Sequence, residues 1–160
     1  MAKELTPGKK APAFSGKTQD NKVSLKDFKG ENIVLYFYPK DNTPGCTVEA
    51  CGFRDALPRF KRQNTRIVGV SKDSVASHCK FVEKFELSFP LISDEEGKIC
   101  ESYGTWVEKK LYGRTYMGIE RATFLIDTEG KIAQIWRKVK VKNHVEDVLD
   151  AVKKLNKSNK

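Results

Sequence analysis

Two cysteines occupy a position in the chain where a thiol can act as a nucleophile. Cys46 and Cys51 follow the β-branched and aromatic run 33–38, which predicts a buried strand. Apolar residues then recur at helical spacing, which predicts a helix over 46–60. The unpaired N–H groups and the partial positive charge at the start of a helix stabilise a thiolate. The sequence therefore predicts that Cys46 is a reactive thiol.

The spacing of these two cysteines limits how they can pair. In one continuous helix, the Cα atoms of Cys46 and Cys51 would be roughly 8–9 Å apart. A disulfide needs a Cα separation of about 4.4–6.8 Å. Either the thiols never pair and fill a helix–sheet interface as small buried side chains, or the first turns of the helix unwind. Our working hypothesis is the second, with Cys46 as the attacking thiol, Cys51 as the resolving thiol and 43–45 as a hinge.

Three further residues could complete a site around the Cys46 sulfur. Thr43 can offer a hydroxyl group to the sulfur or to a bound oxygen atom. Pro39 has a fixed φ and no N–H group, which suits the wall of an irregular pocket. Arg121, which precedes the apolar strand 122–126, is the candidate cation that holds the thiolate and polarises an O–O bond. The simpler alternative for an arginine at this place is an ion pair at the protein surface.

These residues resemble the signatures of a known family of enzymes. Pro39, Thr43 and Cys46 match the Pro-x-x-x-Thr-x-x-Cys signature of the peroxiredoxins, which are thiol-dependent peroxidases. The longer run 37–51 resembles the peroxiredoxin Q branch, also called bacterioferritin comigratory protein, which often carries its resolving cysteine five residues after the first. The segment 120–127 is similar to the second signature of the family, which implies that its arginine is the active-site arginine. The resemblance extends over nearly the whole chain.

The resemblance implies a two-step reaction that needs no cofactor and no metal ion. The Cys46 thiolate attacks hydrogen peroxide or an organic hydroperoxide and becomes a sulfenic acid. Thr43 and Arg121 would hold the two peroxide oxygens. Cys51 then condenses with the sulfenic acid, and thioredoxin or a similar dithiol reduces the resulting disulfide. Two other functions stay open, a peroxide-responsive redox switch and a protein disulfide oxidoreductase, although the C-x-x-C motif typical of the latter is absent.

The order of the predicted elements indicates an α/β fold. Strands and helices alternate and are followed by a hairpin and a last helix, which argues for a central mixed sheet with helices on both faces. The thioredoxin-like fold has this order, here with an N-terminal hairpin as an extension. The stretch 105–119 is open between a loop and a β-arm near the site. The predicted elements are a hairpin from 12–15 to 23–25, a helical turn over 25–28, strands at 32–38, 66–71, 90–92, 121–126 and 131–138, and helices over 46–60, 74–85, 98–103 and from the N-cap Asn143 to about Leu155.

Length and composition are typical of one domain. We expect the 160 residues to form a single domain, 1–160, with 156–160 as a disordered tail. The chain opens without a hydrophobic signal region, and no apolar run approaches the ~18 residues of a membrane span, which favours a cytoplasmic protein with no membrane partner. The family resemblance favours a monomer. The net charge of +9 comes largely from lysines late in the chain without a nucleic-acid motif, so we expect no specific nucleic-acid partner.

The two remaining cysteines are expected to be buried in the hydrophobic core. Cys79 lies on one stripe of a predicted helix with Val75 and Val82, so a buried position is favoured, with a second resolving thiol as the alternative. Cys100 is predicted to fill the core. The gaps between the four cysteines do not match zinc knuckles, and His78 should point to another face of the helix than Cys79.

Overall fold

A mixed sheet forms the centre of the fold in the computed structural model, which describes residues 5–158. The strands are Ser15–Lys17 (β1), Lys22–Ser24 (β2), Asn32–Phe37 (β3), Thr65–Ser71 (β4), Leu91–Ser93 (β5), Trp106–Leu111 (β6), Arg114–Ile119 (β7), Ala122–Ile126 (β8) and Ile132–Trp136 (β9). The α-helices are Pro44–Arg62 (α1), Val75–Phe85 (α2), Lys98–Ser102 (α3) and His144–Ser158 (α4), and Leu25–Phe28 forms a 3₁₀ turn. Seven strands share one sheet in the order β2-β1-β5-β4-β3-β8-β9, and β6 pairs with β7 in a separate arm.

The middle position of β3 follows from its composition, because its side chains are almost all apolar on both faces. Every residue of β3 is buried. Val34 and Tyr36 belong to the core on one face of the sheet, and Ile33 and Leu35 belong to the core on the other. β3 runs parallel to β4 and antiparallel to β8. The loop 39–43 therefore leaves the sheet at the carboxyl end of a central strand, where sites gather in open α/β sheets.

Helices cover both faces of the sheet, as predicted. Phe53 of α1 and Val148 of α4 pack in the core on one face, and Ile99 of α3 packs in the core on the other. A Cβ atom at Gly52 would lie only 3.0 Å from Val145 Cγ2, so a glycine lets α1 approach α4 closely. None of the helices within residues 5–158 is both long and apolar enough to cross a membrane.

The N-terminal hairpin and the segment 105–119 both form β-structure. The hairpin is present as predicted, since β1 pairs antiparallel with β2 and also with β5, and so extends the sheet. The segment 105–119, for which the sequence allows a loop or a β-arm, contains the arm of β6 and β7. Tyr112 and Gly113 connect these strands with φ values of 51° and 75°. Two positive φ values fit a tight two-residue hairpin loop, for which Tyr-Gly is a weak sequence signal.

The predicted tail over 156–160 is wrong for residues 156–158. These residues continue α4, and residues 159 and 160 lie outside the described part of the chain. The Asn156 side chain accepts a hydrogen bond from Asn32 Nδ2 at 2.9 Å and donates one to the Gln63 carbonyl at 2.8 Å. These contacts hold the last turn of the helix against β3 and the end of α1. The sequence does not predict them, because the residues at this end of the chain are polar.

The start of α4 differs in detail from a usual N-cap. Asn143 directly precedes the helix, as predicted, and its carbonyl oxygen accepts a hydrogen bond from the Asp147 N–H group. Its φ of 63° is left-handed, whereas a capping residue is usually extended. Asparagine tolerates this conformation better than most residues, which fits its presence at the turn into α4.

His144 at the start of α4 makes folding stability depend on pH. Its ring is buried, and its Nε2 lies 2.8 Å from Thr123 Oγ1. Burial lowers the pKa of His144 from 6.5 to about 4. Between these values the unfolded chain binds a proton that the folded chain excludes, so the free energy of unfolding should fall as the pH drops, by up to about 3 kcal/mol.

The variant His144→Gln isolates this contribution, because it removes the titratable group and keeps a polar side chain beside Thr123. Chemical denaturation between pH 7 and 4 should show a steeper loss of stability in the wild type than in the variant. Parallel curves for the two proteins would contradict the assignment of this loss to His144.

Candidate active site

Cys46 lies at the start of α1, where the sequence places it. The helix begins at Pro44, and its first hydrogen bond runs from the Thr47 N–H group to the Thr43 carbonyl oxygen at 2.8 Å. The N–H groups of Gly45 and Cys46 precede that bond, so the positive end of the helix surrounds the sulfur. The first turn contains no acidic residue that would oppose a thiolate. Cys46 is buried, with 2% of its surface exposed.

Arg121 provides the cation that the sequence predicts beside this sulfur. Its Nη2 donates a hydrogen bond to Cys46 Sγ at 3.2 Å, and its Nη1 donates one to Glu49 Oε1 at 2.7 Å. A Cβ atom at Gly45 would lie 3.2 Å from Nη2, so the glycine leaves room for the guanidinium. The contact brings together two residues that are 75 positions apart in the chain. The alternative of a surface ion pair does not apply, because the Arg121 side chain is only 17% exposed.

Glu49 is a member of the site that the sequence analysis missed. Its side chain is fully buried and pairs with Arg121. Burial raises the pKa of Glu49 to about 7, although the Arg121 guanidinium acts in the opposite direction. Its second oxygen, Oε2, and the hydroxyl group of Tyr36 are buried without a hydrogen-bond partner among residues 5–158. The signal that could have found Glu49 is its position three residues after Cys46, which places both on one face of the helix.

Thr43 and Pro39 lie in the loop before α1, with contacts that the sequence did not specify. The Thr43 hydroxyl donates a hydrogen bond to the Lys40 carbonyl oxygen at 3.0 Å rather than to the Cys46 sulfur. Its backbone is extended, as at a usual N-cap. Pro39 is exposed, two residues after the end of β3. Both residues belong to the short connection that sets the direction from which α1 enters.

The two thiols of the predicted pair are separate in this structure. Cys46 and Cys51 are both free, and Cys51 is half-buried. α1 is continuous from Pro44 to Arg62, so helical geometry keeps their Cα atoms roughly 8–9 Å apart. A disulfide between them requires the first turns of α1 to unwind.

The other cysteines occupy two different environments. Cys100 is fully buried, as predicted, and burial together with a hydrogen bond to Asp94 raises the pKa of its thiol. The favoured buried position of Cys79 is wrong, because Cys79 is exposed. His78 and Phe81 take the buried face of α2, and this rotation turns Cys79 towards solvent. Its Sγ lies 3.7 Å from the Gln19 carbonyl oxygen.

A buried hydrogen-bond network holds the loop that precedes Cys46. The Asp41 carboxylate accepts hydrogen bonds from the Tyr38 hydroxyl at 2.6 Å and from Ser77 Oγ at 2.8 Å. His78 Nδ1 lies 2.7 Å from Asp41 Oδ2. The Asp41 N–H group donates to Asp73 Oδ2 at 2.8 Å. The network ties the middle of the loop to α2 and to the end of β4.

His78 connects this network to the sheet. Its ring is fully buried, and its Nε2 lies 3.1 Å from the Ile92 carbonyl oxygen. Both ring nitrogens therefore lie beside oxygen atoms, and the ring joins Asp41 to the sheet. Asp41, Asp73 and His78 are close enough to hold a metal ion, with ligand atoms within 4.8 Å of one another. Other protein groups already contact both oxygens of Asp41 and both nitrogens of His78. We call Asp41 and His78 together the loop anchor.

Comparison with known proteins places the chain in a family. Residues 7–135 match the AhpC/TSA family. Peroxiredoxin Bcp of Bacillus subtilis is 51% identical over 93% of this chain and 96% of its own length. Peroxiredoxin Bcp of Escherichia coli is 45% identical over the same shares. The chain belongs to the AhpC/TSA family. These relatives are peroxiredoxins, so the family resemblance drawn from the signatures is confirmed.

Solved structures of peroxiredoxins support the same conclusion for the fold. Peroxiredoxin Q of Xanthomonas campestris superposes with a TM-score of 0.88 at 41% identity, covering 94% of this chain and 98% of that one. The bacterioferritin comigratory protein of the same organism, studied for its alkyl peroxide reduction activity, has a TM-score of 0.88 at 40% identity, covering 94% and 99%. The predicted thioredoxin-like fold is therefore confirmed.

The contact between Arg121 and Cys46 predicts the charge state of the thiol. In Arg121→Ala the ionised fraction of Cys46 at neutral pH should decrease, because the sulfur loses its only charged hydrogen-bond donor among the described residues. Thiolate absorbance measures this fraction directly. The rate of reaction with hydrogen peroxide should fall by about 10- to 100-fold, the range for a hydrogen bond to a charged group. Arg59→Ala, which removes an exposed arginine paired with Glu146, is the control. Unchanged thiolate absorbance in Arg121→Ala would remove Arg121 from the site.

The loop anchor predicts that a change remote from the sulfur affects both stability and reactivity. Asp41→Asn replaces a buried carboxylate that contacts three polar side chains with an amide that has one acceptor oxygen, which should lower the free energy of unfolding by about 1–3 kcal/mol. Reaction with hydrogen peroxide should slow as well, because the loop that sets the start of α1 loses its attachment. Denaturation and stopped-flow kinetics measure the two effects, with Glu83→Gln on the exposed face of α2 as the control. Wild-type values for both quantities in Asp41→Asn would show that the anchor does not hold the loop.

Proposed function

We propose that the chain reduces hydroperoxides with Cys46 as the attacking thiol and Cys51 as the resolving thiol. Its relatives are peroxiredoxins, and the protein is a thiol-dependent peroxidase of this kind. The observation that carries the residue assignment is the 3.2 Å contact from Arg121 Nη2 to Cys46 Sγ. A guanidinium at this distance stabilises a thiolate, and the start of α1 adds to the effect.

In the first step the Cys46 thiolate attacks one oxygen of the peroxide. An S–O bond forms and the O–O bond breaks, so that the sulfur is oxidised to a sulfenic acid. The other oxygen departs as hydroxide or alkoxide and takes a proton to become water or an alcohol. In this proposal Arg121 and the first N–H groups of α1 stabilise the negative charge on the oxygens, while Thr43 and Pro39 border the place where the peroxide binds.

In the second step the Cys51 thiol attacks the sulfenic acid. An S–S bond forms and water leaves, which protects Cys46 from further oxidation. The helical geometry supports unwinding as part of this step, because the thiols cannot meet in an intact α1. A dithiol then reduces the bond by exchange and is itself converted to a disulfide.

The burial of Cys46 restricts what reaches it in the folded site. With 2% of the residue exposed, Cys46 is too deeply buried in the folded site for a protein surface to contact its sulfur. A protein reductant must therefore act after the first turns of α1 have unwound. This order agrees with the proposed sequence of peroxide first and dithiol second.

We also propose a reductant, a cellular location and an oligomeric state for the protein. Thioredoxin or a similar dithiol is the proposed reductant, since an exchange partner must deliver two electrons and two protons. A cytoplasmic location suits four free thiols, which a reducing compartment maintains. We propose a monomeric state on the basis of the resemblance to the peroxiredoxin Q branch. Sedimentation and cell fractionation test the last two points.

Stopped-flow kinetics with three cysteine variants tests the roles of the thiols. Cys46→Ser should not react with hydrogen peroxide. Cys51→Ser should react once, accumulate a sulfenic acid that dimedone traps, and lose turnover with thioredoxin. Cys79→Ser is the matched control, because it removes an exposed thiol, and it should retain turnover.

Two outcomes would contradict the proposal. A second-order rate no faster than that of free cysteine would reject the peroxidase and favour a redox switch. Full thioredoxin-driven turnover in Cys51→Ser would move the resolving role to Cys79 or to a thiol outside the chain.

A further inference from the structure

The arm of β6 and β7 places a cation beside the candidate active site. Side chains alternate between the two faces of the arm, so Lys109 and Lys110 point to opposite faces. Lys109 pairs across the arm with Tyr116, and Val107 pairs with Gly118 on the same face. The opposite face carries Trp106, whose ring packs 4.0 Å from Lys72 Nζ.

The Lys109 side chain runs towards the base of the arm rather than towards its tip. A Cβ atom at Gly118 would lie 3.2 Å from Lys109 Cδ and 3.5 Å from its Cε, so the aliphatic stem crosses the glycine. The Tyr116 ring lies at a similar distance from the same point, 3.3 Å at Cε2. Gly118 is three residues before Arg121, where the chain leaves the arm for β8. The ammonium group is therefore directed to the end of the arm that adjoins Arg121 and Cys46.

The ammonium group of Lys109 makes no hydrogen bond and no ion pair among residues 5–158. Glu120, the acidic residue at the base of the arm, already pairs with Arg137 at 2.8 Å. Lys109 is half-buried, and burial lowers the pKa of its ammonium group, with the Arg121 charge acting in the same direction and Cys46 in the opposite one. A half-buried cation without an ion pair can bind an anion from outside the chain.

We propose that Lys109 forms an anion-binding subsite beside Cys46 and Arg121, which favours organic hydroperoxides that carry a carboxylate. The subsite rests on the proposed function, because it orients the substrate of that reaction. The carboxylate accepts a charge-assisted hydrogen bond from the ammonium group, while the –O–OH group faces the Cys46 sulfur. Tyr116, with 46% of its surface exposed, offers an aromatic face to the organic part of the substrate.

A carboxylate on a small molecule suits this position better than an acidic surface of a protein reductant. Lys109 is half-buried against Gly118 and Tyr116, whereas Lys110 on the other face is exposed. A protein surface would meet exposed lysines first. The charges that act on Lys109 are those of Arg121, Cys46 and Glu120, all within or next to the candidate active site.

The test compares two hydroperoxides of nearly the same shape, cumene hydroperoxide and its para-carboxylate derivative. Stopped-flow rates of Cys46 oxidation give a selectivity, defined as the rate constant for the carboxylated peroxide divided by that for the neutral one. In Lys109→Gln this selectivity should fall by about tenfold, the lower range for a hydrogen bond between charged groups. Lys109→Arg should keep most of it, and Lys110→Gln should match the wild type. Added salt should reduce the selectivity of the wild type and leave that of Lys109→Gln unchanged.

Any result other than these contradicts the proposed subsite. Equal losses for both peroxides in Lys109→Gln would show that Lys109 acts on the thiol or on the fold and not on the substrate. An equal fall of selectivity in Lys110→Gln would indicate a general effect of surface charge. A defect confined to reduction by thioredoxin would assign Lys109 to the protein reductant. Absence of reaction of the wild type with hydrogen peroxide would instead reject the proposed function itself.

Discussion

One helix carries both thiols, and this constraint determines how the proposed reaction cycle can proceed. α1 is continuous from Pro44 to Arg62, so Cys46 and Cys51 cannot bond while it is intact. The same helix supplies the N–H groups and the positive end that suit a thiolate. The folded helix therefore favours the reaction with peroxide and prevents the disulfide, and the unwound helix has the opposite properties. The proposed cycle alternates between these two states.

The surroundings of α1 divide into contacts that must break and contacts that can persist. The Cys46–Arg121 hydrogen bond belongs to the first group, since Cys46 leaves its buried place when the helix unwinds. The loop anchor belongs to the second, because Asp41 is bound to α2 and the sheet and not to α1. The close contact of Gly52 with Val145 marks the point where α1 rests on α4. Unwinding can thus remain local to the turns before Gly52.

The sequence singles out most residues of the candidate site because they lie in short signatures. Cys46 and its helix follow from local spacing, and the family resemblance singles out Arg121, which the fold then brings to the sulfur. Glu49 was missed because an acidic residue in a helix normally faces solvent, and only the folded structure shows its burial against Arg121. Cys79 was misplaced because two apolar stripes of α2 compete, and the buried imidazole of His78 decides between them. The sequence does not distinguish a loop from a β-arm over 105–119, because the strands β6 and β7 are largely polar and bury few of their side chains.

Hydrogen exchange along α1 tests the central claim most directly. The amides of residues 46–62 are compared in the reduced protein, in the peroxide-oxidised protein and in peroxide-treated Cys51→Ser. Local unwinding predicts that oxidation removes protection from the amides up to about residue 52 and not from later ones, and that Cys51→Ser keeps the protection of the reduced protein. Protection retained throughout α1 in a protein whose Cys46–Cys51 disulfide is established by mass spectrometry would contradict the account.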